Sequence, residues 1–162
     1  MKIVLCGMPG SGKTTIGKKL ADHLNVEHFD TDKMIENRFK KSCRELYKEG
    51  GKAFFRRIES VVVQDALKNR GILSLGGGSL DLIENRELIQ NYGTVIYLSC
   101  EFKRLVDRKI QNDSPAYSED FFHLYTNRTP IFESVCHFTI DVSNQSVEES
   151  IKAIIQEVCY VQ

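Results

Sequence analysis

Chemistry is first suggested by the run GMPGSGKTT, residues 7–15, where Gly7, Gly12, Lys13 and Thr14 fit G-x-x-x-x-G-K-[ST]. Glycines let backbone N–H groups turn inward around phosphate oxygens, and a helix starting at Lys13 adds partial positive charge there. Lys13 is expected to reach the β- and γ-phosphates and the Thr14 hydroxyl to ligate Mg²⁺, with Gly10, Ser11, Gly12 and Thr15 completing the cradle. This motif predicts nucleotide binding and leaves the phosphoryl acceptor open.

Further on, FDTD carries Asp30 and Asp32. In extended backbone residues two apart point the same way, so both carboxylates would face the nucleotide if this strand ends beside the loop. One could hold a metal-bound water, and the other could receive or orient a hydroxyl proton. Capping of the following helix is an equally weighted role for either aspartate. FFRRIE, residues 54–59, puts Arg56 and Glu59 on one helix face, where the carboxylate could hold the guanidinium rigid for an anion. An isolated pair of this kind is more often exposed and worth about 0–1 kcal/mol. Phe55, expected to face inward, places this one near a buried edge. Gly76-Gly77-Gly78 would let backbone N–H groups approach a ligand, where one glycine would suffice for a turn. Arg128, in NRTPIFE, is a lone arginine whose default is a solvated face.

These groups need a frame that brings them together. KIVLC, VEHFD, GILSL, TVIYLS and HFTID read as strands. Helices are predicted over 13–24, 32–39, 43–48, 53–69, 81–91, 102–109 and 119–135, with a last one carrying Val147, Ile151, Ile154, Ile155 and Val158 on one stripe. Apolar strands alternating with helices predict a parallel sheet covered on both faces, with ligands beyond the C-terminal strand ends. The phosphate loop, the aspartates and the three glycines each follow a strand.

The 162 residues are expected to form one domain. Lys plus Arg equals Asp plus Glu, 22 against 22, so no overall field would attract nucleic acid or an acidic membrane surface. No apolar run approaches the roughly 18–20 residues that span a bilayer, and no signal-peptide layout is read at the N-terminus. Cys6, Cys43, Cys100, Cys136 and Cys159 are widely spaced and odd in number, which predicts reduced thiols in a cytoplasmic protein. His23, His28, His123 and His137 show no metal-ligand spacing and read as structural or surface residues.

In order, GMPGSGKTT, DTD, FRRIE, LGGG and RTPIFES resemble the motifs of shikimate kinases over nearly the whole chain. The resemblance implies an α/β fold of the P-loop, nucleoside monophosphate kinase-like type. That is a three-layer α/β/α domain over 1–162, with a five-stranded parallel sheet ordered 2-3-1-4-5, a substrate-binding region at about 31–60 and a mobile lid at about 110–122. It implies transfer of the ATP γ-phosphoryl group to the 3-hydroxyl of shikimate, on the route to chorismate and the aromatic amino acids, with Mg²⁺, by a monomer. Carried over by position, Asp32 would contact the shikimate hydroxyls as base or orienting group, and Asp30 would act near Mg²⁺ through water. Arg56 and Arg128 would grip the carboxylate, Glu59 would brace Arg56, the backbone amides of Gly77 and Gly78 would assist, and Arg108 would lie against adenine.

Two positions depart from that pattern. Ser114, in NDSPAY, stands where the family's lid carries an arginine, and Asp113, Glu119 and Asp120 make the segment acidic. An arginine at a transferring phosphoryl group is worth roughly 10³–10⁵ in rate in related enzymes, so Lys109 or Arg108 is expected to supply the charge. Lys52 replaces a glutamate, with no derivable effect. Another small-molecule kinase of this fold, acting on gluconate or a nucleotide, and a weakly active nucleotide-binding regulatory module are the competing readings.

Overall fold

Ile3, Val4, Leu5 and Cys6 are all buried, which marks their strand as the middle of a sheet covered on both faces. The computed structural model describes residues 2–112 and 120–159. Strands β1 (Lys2–Cys6), β2 (His28–Asp30), β3 (Gly71–Ser74), β4 (Thr94–Ser99) and β5 (Phe138–Asp141) form one sheet ordered β2-β3-β1-β4-β5, as expected. Every pairing is parallel; Val4 lies between Leu73 and Val95, and Leu5 between Ser74 and Ile96.

The helices are α1 (Lys13–Leu24), α2 (Thr31–Phe39), α3 (Cys43–Ala66), α4 (Ile83–Tyr92), α5 (Phe102–Asn112), α6 (Phe121–Val135) and α7 (Val147–Cys159). α1 packs on β1, β2 and β3 and against α7, while α4 and α6 pack on β4. Ile16 and Leu20 of α1 join the main core, which the sheet and helices share. A second, smaller core of Ile35, Cys43, Leu46, Phe55, Ile58 and Val62 locks α2 onto α3. It is this small core that aims Arg56 and Glu59, because Phe55 and Ile58 sit beside them in sequence and anchor their turn.

Local differences from the sequence reading have identifiable causes. Residues 43–66 run as two helical pieces meeting at a kink at Gly51, whose φ of 80° and ψ of 179° are not helical, so the two pieces read from the sequence hold and differ only in their bounds. The start of the first piece is set by a capping box between Ser42 and Glu45. β2 is three residues long and ends at Asp30, so Asp32 belongs to the first turn of α2 and not to extended backbone. α4 begins at Ile83, which leaves Asp81 in the turn after the glycines. The lid expected over about 110–122 falls mostly on residues outside those described, as do Ser114, Asp113, Glu119 and the Lys109 side chain. Asp120 is described, and its side chain caps α6 by accepting from the Phe122 N–H at 3.0 Å.

Candidate active site

The phosphate loop lies at the end of β1. Gly12 enters α1 with φ of 93°, a left-handed conformation that side-chain-bearing residues rarely adopt. The Lys13 ammonium is folded over the loop, donating to the carbonyls of Gly7 and Met8 at 2.9 Å each. Burial lowers its pKa, and the Asp32 carboxylate is the first of the groups that oppose this. Ser11 Oγ is buried with no hydrogen-bond partner among the described residues. Buried hydroxyls are nearly always satisfied, so this one suits a phosphate oxygen. Arg108, on α5, donates to the Gly10 carbonyl at 3.1 Å and to Val142 at 2.9 Å, strapping the loop to the segment after β5.

At the end of β2 the two aspartates divide. Asp30 Oδ2 accepts from the Thr14 hydroxyl at 2.6 Å, while Oδ1 accepts from the N–H groups of Asp32 and Lys33. Asp30 therefore caps α2, one of the roles open in the sequence, and also accepts from Thr14. Asp32 caps nothing. Its carboxylate points toward Gly76, where a Cβ would fall 2.4 Å from Oδ1. Surrounding protein, then the charge of Asp30, push its pKa up to about 6, with Lys13 opposing. The residue is nonetheless open to water in the cleft, which moderates that push until a substrate covers it. Thr14 beside Asp30 fits a divalent cation held by one hydroxyl, water and phosphates, as Mg²⁺ favours. Among the described residues no group of three or more His, Cys, Asp or Glu could hold a metal.

The arginines meet at the end of β3. Arg56 Nη1 donates to Glu59 Oε2, and Arg56 Nη2 lies 3.0 Å from Asp81 Oδ2. Arg128, from α6, reaches the same carboxylate with Nε and Nη2 at 3.1 and 3.0 Å. The side chains of Arg56, Glu59 and Arg128 are 12%, 2% and 9% exposed, which overturns the surface-pair and solvated-face readings of the two arginines. Burial works against the Arg56 charge, but Glu59 and Asp81 together raise its pKa. Burial also raises the Glu59 carboxyl, with Arg56 opposing. A Cβ on Gly78 would fall 2.2 Å from Arg56 Nη2, so only glycine admits the guanidinium at that distance.

Lys13, Thr14, Asp30, Asp32, Arg56, Gly77, Gly78 and Arg128 line one cleft of about 750 Å³. The arrangement can seat a phosphate chain next to a small hydroxylated anion. Several lining residues went unread in the sequence as part of a site, among them Lys33, Glu36, Cys43 and Arg44. Asp81, which is outside that lining and pairs with both arginines, left only a weak trace in the sequence: an acid three residues after the glycines. Two histidines have structural partners: the half-buried His28 pairs with Ser74 at 3.0 Å, and the exposed His137 accepts from the Val95 N–H through Nδ1.

The family model described as "Shikimate kinase" matches residues 9–159. A shikimate kinase of Corynebacterium jeikeium (strain K411) is 37% identical, over 97% of this chain and 89% of its own. One from Enterococcus faecalis (strain ATCC 700802 / V583) is 35% identical, over 96% of each. Among solved structures, the shikimate kinase of Acinetobacter baumannii in complex with shikimate superposes with a TM-score of 0.93 at 27% identity, covering 99% of this chain and 94% of that one. A deoxyadenosine kinase from M. mycoides, at 16% identity and a TM-score of 0.66 over the full length of both, shares the fold.

Proposed function

The chain belongs to the shikimate kinase family, and on that premise we propose that it transfers the γ-phosphoryl group of ATP to the 3-hydroxyl of shikimate. One observation carries the reading: two buried guanidiniums and the Asp32 carboxylate face a single cleft that also holds the phosphate loop. A small acceptor bearing both a carboxylate and hydroxyls suits that set. Arg56 and Arg128 would take the carboxylate by charge-assisted hydrogen bonds, each worth about 1.5–3 kcal/mol. The backbone amides of Gly77 and Gly78 would add to that grip, and Glu59 would keep Arg56 in place. Residues 31–60 would form the acceptor-binding region.

Asp32 would orient the reacting hydroxyl and accept its proton as the new O–P bond forms. Lys13 would leave the loop carbonyls for the phosphate oxygens, holding the charge that develops there; Gly10, Ser11, Gly12 and Thr15 would cradle the chain. Arg108 would flank the adenine. Thr14, and Asp30 through water, would hold Mg²⁺, which when bound neutralises charge between the β- and γ-phosphates. Catalysis on this reading is positioning and electrostatics, with little covalent work for the protein.

The proposed acting unit is a monomer. No described helix is long and apolar enough to cross a membrane; the proposed setting is the cytoplasm, with no nucleic-acid partner. Steady-state turnover with ATP and a panel of shikimate, gluconate and nucleoside monophosphates tests the reading. Turnover with shikimate alone is expected. Preference for another acceptor overturns it, and ATP binding without turnover of any acceptor favours a regulatory module.

A further inference from the structure

Asp81 is the shared counter-ion of both arginines. Its Oδ1 accepts from Arg128 Nε, and its Oδ2 is shared by Arg128 Nη2 and Arg56 Nη2. Glu59 serves Arg56 only, so among the described residues Arg128 has no carboxylate but Asp81. The two guanidiniums also form a partition. Both line the 750 Å³ cleft and an adjoining pocket of about 400 Å³, whereas Asp81 lines the adjoining pocket and not the cleft. Asp81 thus grips the arginines from outside the lining of the cleft that holds the phosphate loop. By taking the Nε–Nη2 edge of Arg128, it leaves Nη1 directed toward Gly77, where a Cβ would fall 3.6 Å from that nitrogen, and Gly77 lines the cleft.

From this geometry we propose that Asp81 is a positioning residue that sets the affinity for the acceptor's carboxylate. It binds two like-charged guanidiniums into one unit and turns their remaining N–H groups toward the cleft. Without it, mutual repulsion separates them and frees Arg128 to rotate. A competing role would be that of an internal stand-in, a carboxylate that the acceptor must displace. Its absence from the lining of the cleft opposes that role, because a competitor would occupy the cleft.

The inference rests on the reading of the cleft as the shikimate site, and one set of assays separates the two. Wild-type turnover with shikimate tests the site reading alone; no turnover overturns it and this inference with it. Given turnover, Asp81→Asn is expected to raise KM for shikimate roughly tenfold or more. kcat and KM for ATP should stay within about twofold, a split that loss of folding would not give. The methyl ester of shikimate, which lacks the charge, should show little further loss on the same substitution. Arg128→Ala should cost less in the Asp81→Asn background than in wild type, because the two act as a unit. Should Asp81→Asn not fold, Asp81→Glu keeps the charge and is expected to retain shikimate turnover with a KM nearer wild type than that of Asp81→Ala. An unchanged KM, a KM that falls, or equal losses for shikimate and its ester would overturn the proposal.

Discussion

Asp30 divides its carboxylate between two tasks: one oxygen accepts the Thr14 hydroxyl at 2.6 Å, and the other caps α2 through two backbone N–H groups. Asparagine caps nearly as well as aspartate but lacks the charge. Asp30→Asn should therefore raise the Mg²⁺ concentration for half-maximal turnover about tenfold with the melting temperature nearly unchanged. Asp30→Ala should add a loss of about 1 kcal/mol in stability from the missing cap. Metal titration of turnover and denaturant melts check the two halves separately. An unaltered Mg²⁺ requirement in Asp30→Asn would reduce the residue to a cap.

Asp32 has its pKa pushed up to about 6 and must be ionised to accept a proton. kcat/KM for shikimate should fall about tenfold per pH unit on the acid side of that value. Asp32→Asn should lose about 10²–10⁴-fold in turnover while ATP still binds. The folded pKa lies above the unfolded value, so ionising Asp32 costs stability as pH rises through the interval from about 4 to 6. Melting curves of wild type should lose ground to Asp32→Asn across that interval and run parallel above it.

Arg56 and Glu59 form a buried ion pair, and removing the cation leaves a carboxylate that burial already disfavours. Breaking such a pair from one side costs about 3–5 kcal/mol. Arg56→Ala should be destabilised on that scale and should bind shikimate far more weakly. The loss should be larger at pH 8 than at pH 6, because Glu59 with its pKa raised further binds a proton in the folded state and stability falls as pH rises. A stable variant with wild-type KM would return Arg56 to an ordinary surface pair.

Gly78→Ala would set a methyl group 2.2 Å from Arg56 Nη2. The guanidinium must move, because the methyl sits on the main chain. We expect KM for shikimate to rise about tenfold or more with KM for ATP unchanged. A crystal structure of the variant should show Arg56 displaced from Asp81.

Arg108 is tied to Gly10 and Val142 beside the loop. That tether favours a nucleotide role over replacement of the lid charge missing at Ser114. Arg108→Ala should raise KM for ATP severalfold with a small change in kcat. Lys109→Ala should lower kcat with KM for ATP unaltered. Measuring both constants for both variants decides the matter, and unchanged kcat in both would reject compensation by either residue.

Sequence alone determined the order of strands and helices, the phosphate loop and the family pattern. These are local matters: periodicity marks buried faces, and a glycine loop between a strand and a helix has few other uses. Lys13 and Thr14 were legible for that reason. The split between Asp30 and Asp32 was not, because a cap and a metal partner use the same residue type at the same place, and only the path of α2 separates them. The burial of Arg56 and Arg128 also belonged to the tertiary structure. They lie 72 positions apart in the chain, on helices whose approach is set by the small core around Phe55 and by the packing of α6 on β4. Their common partner, Asp81, is a loop residue with no periodicity to announce it. Electrostatic demand selects it only once both guanidiniums are in place, since a counter-ion is defined by what stands next to it and not by its own sequence.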